Sequence, residues 1–339
     1  MSLHLELGVS ALALLLALVI DHFLGEPATR WHPVVGMGNY LGWAGRRVAP
    51  VTATDPDYKR FWLGAMAWLA GALVVVVAAG WVQKGLLLLP DALGIMPGNL
   101  LAALLLGLML KPMLAWAMLK REVLAVEKAL NPEHGGSLAA GRERLSWLVS
   151  RDVTHLTETQ VRESAIETLA ENLNDSVVAP IFWFLLLGLP GAALYRFANT
   201  ADAMWGYPGD YKGRNWQWAG KWAARADDVL SWMPARITAL LLALVGRFCT
   251  RSFMAQLRVE ACRTPSPSSG WPMAAMALAL DVRLHKPGVY VLHAAGRDPL
   301  PADMQHAVGY AGRVVLALVA MTVVMAAIAF VFIAWDVLP

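Results

Sequence analysis

The chain has 339 residues, of which 58% are hydrophobic and 16% are charged, and its formal net charge is +3. This composition argues against a soluble enzyme and predicts an all-α integral membrane protein. The chain has no run of Lys and Arg between aromatic residues, so we expect no nucleic-acid partner. Its two cysteines, Cys249 and Cys262, lack CxxC spacing and indicate neither a zinc site nor a disulfide framework.

Apolar segments define the expected membrane helices. Those long enough, or nearly so, to cross a bilayer are 9–20 with its flanks, 61–82, 100–119 and 308–335. Segments 177–198 and 233–249 are shorter, and Gly188-Leu189-Pro190-Gly191 breaks the first of them. We expect one or both to be re-entrant, with complete crossing by both as the alternative. The predicted fold therefore has about four full transmembrane helices plus one or two re-entrant or short membrane segments, with helical cytosolic loops.

Loop charge predicts the topology. Basic residues are concentrated in loops 21–60 and 250–307, which the positive-inside rule places in the cytosol. The loop after the second apolar segment carries little charge and is expected outside, so the third segment returns loop 120–176 to the cytosol. Loop 196–232 lies on the same side if 177–198 is re-entrant. We predict a single polytopic domain over residues 1–339.

A regular series of acids is the most informative motif. Glu163, Glu167, Glu171 and Asp175 recur every four residues. On a helix this spacing stacks them on one face, where like charges repel one another. A cation shared by several carboxylates, typically magnesium carrying phosphate, would remove the repulsion. The alternative is a solvated acidic face beside a membrane.

Further polar residues flank the later apolar segments. Asn199 and Asp202 are three residues apart and share a helix face, and Asp227 and Asp228 are adjacent. Adjacent aspartates can hold a hard cation. Helix capping is the alternative role for any one of them. Several carboxylate clusters on one face of a membrane protein nevertheless favour a function, because charge near lipid is costly.

Basic residues in the same regions could bind anions. Lys212, Arg225 and Arg236 are suited to phosphate or carboxylate oxygens, although snorkelling beside the membrane would also explain them. His32 could bind a ligand or transfer a proton, but a lone histidine beside Trp and Pro is more often structural. The chain has no GxxxxGK[ST] phosphate loop, so a nucleotide would be held mainly through metal and basic side chains.

The motifs together resemble the adenosylcobinamide-phosphate synthase family of cobalamin biosynthesis, called CbiB or CobD. The matching strings occur in the family's order and cover nearly the whole chain. They are Asp21…Gly25-Glu26-Pro27…His32-Pro33-Val34, Leu145-Ser-Trp147…Arg151-Asp152, Glu167-Thr-Leu-Ala-Glu171-Asn172…Asp175…Ala179-Pro180, Asn199-Thr…Asp202…Gly206-Tyr207 and Ala224-Arg225…Asp227-Asp228…Pro234-Ala-Arg236. Departures from the family pattern occur at Ser150, Val153, Ser176, Ser268 and Met273. The last two argue against a catalytic role for loop 264–273.

The resemblance implies an ATP- and magnesium-dependent acid–amine ligase. It would join adenosylcobyric acid to (R)-1-amino-2-propanol or its O-phosphate, giving adenosylcobinamide or its phosphate. It implies a multi-pass protein of the bacterial inner membrane with a cytosolic active site. A homo-oligomer, or association with other membrane enzymes of cobalamin assembly, is compatible with it. The chemistry requires an activated carboxylate, and phosphoryl transfer depends more on metal and positive charge than on a protein nucleophile.

This interpretation gives each group of residues a role. The magnesium ligands are expected among Glu167, Glu171, Asp175, Asp202, Asp227 and Asp228. Phosphates or developing charge would be held by Arg151, Lys212, Arg225 and Arg236. Asn172 and Asn199 would orient substrate amides or phosphate. Asp152 or His32 would take the proton from the attacking amine.

Two other functions are compatible with parts of the sequence. One is a magnesium-dependent membrane prenyl or alcohol-phosphate transferase, but the NDxxDxxxD spacing is absent after Asn174-Asp175. The other is a corrinoid transporter or scaffold, since transporters place ionisable residues in broken membrane helices. The broken segment has no charge before Arg196, however. We expect the corrin ring to bind a surface near Trp205, Trp216, Trp218 and Trp222. The alternative role of these tryptophans is anchoring at the lipid interface.

Overall fold

The computed structural model describes residues 3–27, 29–52 and 54–337, and helices form most of them. The helices and strands, in chain order, are α1 (Leu3–Leu24), α2 (Pro33–Val48), α3 (Tyr58–Leu87), α4 (Leu89–Leu93), α5 (Ile95–Leu110), α6 (Trp116–Leu130), α7 (Leu138–Ser146), α8 (Glu158–Leu173), α9 (Ala179–Trp205), β1 (Asp210–Tyr211), β2 (Arg214–Asn215), α10 (Lys221–Gly246), α11 (Arg251–Ala261), α12 (Gly270–Leu280), β3 (Leu284–Lys286), β4 (Tyr290–Leu292) and α13 (Pro301–Val337). The strands form two short antiparallel hairpins.

Within the described residues, six helical segments are long and apolar enough to cross a membrane. They are Leu5–Leu24, Tyr58–Leu93, Ile95–Leu130, Glu158–Trp205, Lys221–Gly246 and Pro301–Phe332. The predicted all-α integral membrane class is therefore confirmed. The two segments predicted as re-entrant lie in the fourth and fifth of these helices, so by length and composition both could also cross.

The predicted break in 177–198 occurs at Gly188. This residue has a left-handed φ of 68° inside α9. The Leu189 N–H donates to the Gln83 side chain at 2.6 Å, and a Cβ at Gly188 would overlap that side chain. The left-handed backbone conformation therefore favours glycine here, and a larger residue would also displace the end of the Gln83 side chain.

The chain turns back on itself at this break, as expected for a re-entrant hairpin. A Cβ at Gly191 would lie 2.3 Å from the Trp183 carbonyl oxygen, a contact that a continuous helix does not allow between residues eight apart. Trp183 and Tyr195, on the two halves, bond to the adjacent residues Leu230 and Ser231.

The chain divides into two compact units. The first contains Met1–Ala115, Ala179–Ser231 and Met321–Pro339, and the second contains Trp116–Val178 and Trp232–Ala320. In the first unit α1 packs on α5, and α9 packs on α2 and α3. Each packing pair buries small side chains such as Ala13, Ala72 and Ala103, which allow helix backbones in membranes to approach closely.

The second unit is built around α8. Thr157 and Gln160 form a capping box at its start, which satisfies two otherwise unpaired N–H groups. All residues from 161 to 170 are buried, because α6, α7, α12 and β3 surround the helix. Arg162 crosses to α6 and makes two bonds to Glu127, at 2.8 and 3.0 Å. A π-helical turn, Asn174–Val178, ends the acidic segment.

Candidate functional site

The acidic face of α8 is buried in its first turns. Glu163 and Glu167 are each 1% exposed, so a solvated face is wrong for these two residues. Glu167 Oε2 lies 2.8 Å from Arg151 Nη2, and Glu163 Oε1 lies 3.8 Å from Arg283 Nε. The second oxygen of each carboxylate is buried without a hydrogen-bond partner in the described residues. Two arginines therefore neutralise part of the charge for which the sequence predicted a metal cation.

Arg151 is anchored to α8 at two points. Besides its contact with Glu167, its Nη1 donates to Ser164 Oγ at 3.2 Å. Tyr290, on β4, lies close to the same carboxylates. Burial, and then the negative charges of Glu167 and Glu171, raise the pKa of Tyr290. The Tyr290 hydroxyl is therefore neutral at physiological pH and can act only as a hydrogen-bonding group beside these acids.

A cavity of about 400 Å³ opens beside Arg151 in the second unit. Polar side chains that line it are Arg151, Asp152, His155, Gln160 and Lys286. Lys286 belongs to the β3–β4 hairpin, which packs on α8. The Arg151-Asp152 pair was predicted from the family resemblance. His155 and Lys286 were not predicted, because no local motif marks them.

The predicted proton acceptor Asp152 has a structural role in its loop. Its Oδ1 accepts bonds from the Thr154 hydroxyl at 2.6 Å and from the Thr154 N–H at 2.9 Å. The side-chain bond and then the backbone bond lower the pKa of Asp152, because both stabilise the ionised carboxylate. A carboxylate with a lowered pKa is a weaker base. Its assignment as the proton acceptor remains a prediction.

Other predicted site residues of the second unit are held by local bonds. The Asn172 amide donates to Thr168 O at 3.0 Å within α8. Asp175 accepts a bond from the Asn174 amide at 2.8 Å. Glu171 is half-buried on the same helix. Their assignments as magnesium ligands and as a substrate-orienting amide remain predictions.

Arg236 is fixed by aromatic side chains. Its guanidinium lies 4.0 Å from the centre of the Trp232 ring and 4.6 Å from that of Trp271. It also donates to Trp232 O at 2.6 Å and to Pro267 O at 3.4 Å. These contacts are sufficient to stabilise an arginine in a membrane-type helix, so its presence there does not require a bound ligand.

In the first unit, His32 belongs to a group of four charged or titratable side chains. His32 Nε2 lies 3.1 Å from Glu26 Oε2. Lys111 Nζ lies 2.9 Å from Glu26 Oε1 and 3.4 Å from Asp21 Oδ1. Lys111 is 3% exposed and Asp21 is 1% exposed. Lys111 was not among the predicted site residues, although a lysine inside an apolar segment indicates a function or a charged partner.

The remaining predicted residues of the first unit lie near the C-terminal end of α9 and the start of α10. Asn199 and Asp202 are half-buried on α9, as are Asp227 and Asp228 on α10. Lys212 occupies the turn between β1 and β2, with a left-handed φ of 48°. Its Nζ lies 5.1 Å from the centre of the Tyr211 ring.

Arg225 lines an aromatic cavity of about 360 Å³ in the first unit. Tyr58, Phe61, Trp62 and Trp218 form its aromatic walls, with Lys221 as a second cation. A cation beside such rings gains cation–π attraction. This arrangement also occurs where membrane proteins meet lipid headgroups.

The tryptophans expected near a corrin ring differ in exposure. Trp205 and Trp216 are 1% and 7% exposed and stack with ring centres 5.8 Å apart. They belong to the core of the first unit and offer no binding surface. Trp218 is only half-buried, and Lys221 Nζ lies 3.7 Å from the centre of its ring.

The predicted magnesium ligands are distributed over both units. Glu167, Glu171 and Asp175 belong to the second, and Asp202, Asp227 and Asp228 belong to the first. Among the described residues, no group of three or more His, Cys, Asp and Glu side chains is arranged to hold a metal ion. Magnesium often takes only one or two carboxylates together with phosphate and water. The unpaired Glu167 Oε1 is such a donor, so the ligand set remains a prediction.

Comparisons with known proteins agree with these motifs. A family model described as CobD/Cbib protein matches residues 14–310. A protein of Methanothermobacter thermautotrophicus named probable cobalamin biosynthesis protein CobD is 42% identical, over 82% of this chain and 85% of the relative. The cobalamin biosynthesis protein CobD of Chromobacterium violaceum is 38% identical, over 90% of this chain and 92% of the relative. No solved structure matches the chain. The family match and these identities show that the chain belongs to the CobD/CbiB family of cobalamin biosynthesis proteins.

Proposed function

We propose that the protein is an acid–amine ligase that uses ATP to join adenosylcobyric acid to (R)-1-amino-2-propanol or its O-phosphate. The observation that carries the proposal is the cavity beside Arg151, where cationic side chains lie next to the buried carboxylates of α8. A ligase of this kind must bind phosphate and carboxylate groups, and arginine and lysine are the side chains that do so. Family membership supports the same pathway.

The proposed reaction requires activation of a poor acyl donor. The carboxylate oxygen of adenosylcobyric acid bonds to a phosphorus atom of ATP, and a phosphoanhydride bond breaks. The amine nitrogen then attacks the activated carbonyl carbon, the phosphate-bearing oxygen leaves, and the nitrogen loses a proton. Arg151 would hold the phosphate-bearing group, and Lys212, Arg225 and Arg236 are further proposed anion contacts.

The other roles follow the same chemistry. Asp152 or His32 would accept the amine proton, and Glu26 already orients the His32 ring through Nε2. Asn172 and Asn199 would orient amides or phosphate. Magnesium, when bound, would neutralise phosphate charge. Its proposed ligands are Glu167, Glu171, Asp175, Asp202, Asp227 and Asp228. We place the site on the cytosolic side of a bacterial inner membrane, where the nucleotide is available.

The proposal is tested by product formation with purified protein in detergent. Adenosylcobyric acid, ATP, magnesium and either form of the amine are supplied, and the amide product is measured by mass spectrometry. We expect ATP-dependent amide formation. Its absence with both amines would refute the ligase. Transfer of a prenyl or alcohol-phosphate group, or corrinoid flux into liposomes without ligation, would support the alternative functions.

The metal assignment needs its own variants. Glu171→Gln and Asp228→Asn remove one carboxylate charge each, and we expect both to lose most activity while remaining folded. Glu133→Gln is the matched control, since Glu133 is an exposed acid in the same predicted cytosolic loop as Glu171. Near-wild-type rates for Glu171→Gln and Asp228→Asn would remove these two residues from the ligand set.

A further inference from the structure

We infer that the cavity beside Arg151 binds a phosphate group and that Lys286, on the β3–β4 hairpin, is one of its binding residues. The inference rests on the proposed function for the identity of its ligands. The cavity lies wholly within the second unit. Arg151, Asp152 and His155 enter it from the loop before α8, and Lys286 enters it from the hairpin.

The hairpin holds Lys286 in a defined position. The turn has Lys286, Pro287, Gly288 and Val289 as its four residues, and the Val289 N–H donates to Lys286 O at 3.0 Å. Proline second and glycine third, with a Gly288 φ of 72°, describe a type II turn. Lys286 also pairs with Tyr290 across the hairpin. Pro287 and Gly288 account for the turn, so a lysine before them is not needed for its geometry.

Lys286 brings a positive charge to this cavity. Among residues 3–27, 29–52 and 54–337, no carboxylate forms an ion pair with Lys286. Among the described residues that line the cavity, Asp152 is the one carboxylate, and its Oδ1 accepts bonds from the Thr154 N–H and hydroxyl. A half-buried lysine without a counter-charge is an incomplete arrangement, which an anionic ligand would complete.

Arg151 has further N–H donors that could bind the same ligand. A guanidinium carries five N–H groups. Nη1 donates one hydrogen bond to Ser164, and Nη2 donates one to Glu167. Because α8 holds the guanidinium at two points, its remaining donors are pre-oriented, and less side-chain entropy is lost on binding. His155 is a third donor at the cavity wall.

Phosphate fits this set of donors better than a carboxylate. It has more oxygen atoms than a carboxylate and a larger charge, and it can contact a planar arginine fork and a lysine ammonium together. Two substrates of the proposed ligase carry phosphate, namely ATP and aminopropanol O-phosphate. The cavity volume of about 400 Å³ leaves room for either phosphate group, so binding measurements must separate the two sources.

Equilibrium binding tests the inference without requiring turnover. Lys286→Met removes the charge and retains the side-chain length, and Lys286→Arg restores the charge. Lys128→Met is the matched control, because Lys128 is an exposed lysine of the same unit. ATP, aminopropanol O-phosphate, aminopropanol and inorganic phosphate are titrated separately in isothermal calorimetry. If Lys286→Met melts early in detergent, Lys286→Gln replaces it.

We expect Lys286→Met to weaken one phosphate-bearing substrate about tenfold, the effect of losing one charge-assisted hydrogen bond. Lys286→Arg should recover most of that affinity, and aminopropanol should bind all variants equally. The weakened substrate identifies the source of the phosphate. Phosphate-ligand affinities in Lys286→Met equal to those of Lys128→Met would overturn the inference, as would equal weakening of aminopropanol.

The two proposals fail in different ways. Lys286-dependent phosphate binding without any amide product would refute the ligase and leave the binding site standing. Amide formation with unchanged KM values for ATP and aminopropanol O-phosphate in Lys286→Met would refute the binding site and leave the ligase standing.

Discussion

Replacing Lys111 with methionine probes the buried ion group of the first unit. Methionine nearly preserves the side-chain length and removes the ammonium that lies 2.9 Å from Glu26 and 3.4 Å from Asp21. The substitution leaves a buried Asp21 carboxylate without the Lys111 charge. Removal of one partner from a buried ion pair is strongly destabilising, because the remaining charge loses its compensation but not its desolvation cost.

The expected size of the effect follows from the exposure of the partners. Breaking a buried pair costs about 3–5 kcal/mol. The Asp21 side chain is 2% exposed, whereas that of Glu26 is 23% exposed and keeps its contact with His32. Water can therefore solvate part of the Glu26 carboxylate charge after Lys111 is removed. We expect a loss near the lower limit, about 3 kcal/mol in the free energy of unfolding.

The measurement is equilibrium unfolding by SDS in mixed micelles. Lys84→Met is the control, since Lys84 is an exposed lysine on α3 of the same unit, and its effect should stay within about 0.5 kcal/mol. Adding Asp21→Asn to Lys111→Met removes the uncompensated charge and should restore part of the loss. Equal stability of Lys111→Met and Lys84→Met, or no recovery in the double variant, would refute the reasoning.

Two further predictions concern packing and a buried hydrogen bond. A Cβ at Gly64 would overlap the Ala219 carbonyl oxygen, so Gly64→Ala should cost about 1–3 kcal/mol and lower the melting temperature in detergent. Gly85→Ala on the same helix meets nothing within 4 Å and should not destabilise; equal melting of the two variants would contradict the packing. Thr238 is fully buried, with Oγ1 3.1 Å from Asn174 Oδ1. The same hydroxyl lies 2.9 Å from Pro234 O, so its one proton is shared between two acceptors. Thr238→Val removes this donor from both oxygens and should cost about 1–3 kcal/mol, and unchanged thermal unfolding would show that the hydroxyl does not stabilise the fold.

Local structure was predictable where it depends on neighbouring residues. The break expected at Gly188-Leu189-Pro190-Gly191 appears in the structure, and Thr157, followed three residues later by Gln160, caps α8. A cap depends on residues within one helical turn, and a left-handed backbone depends on a single glycine, so both signals lie in short stretches of sequence. The length of each apolar segment is likewise a property of contiguous residues. The choice between a re-entrant and a crossing segment 177–198 depends on contacts with α3 and α10, which are distant along the chain.

The acidic series of α8 marks the limit of that reasoning. Its spacing placed Glu163 and Glu167 on one helix face, and the structure shows that both are buried there. The spacing could not show whether solvent, a metal ion or basic side chains compensate the negative charge of these carboxylates. Arg151 lies in the preceding loop and Arg283 follows α12, and only the fold brings both to the helix.

The sequence by itself determined the membrane class, the positions of most helices and the family, because apolar length, helix caps and ordered motifs are all properties of contiguous residues. Tertiary structure decided the partner of each buried charge. Lys111 contacts Asp21 and Glu26, and Lys286 lines the cavity of Arg151. These side chains are far apart along the chain, and their electrostatic energies depend on distance and burial, which exist only after the helices have packed.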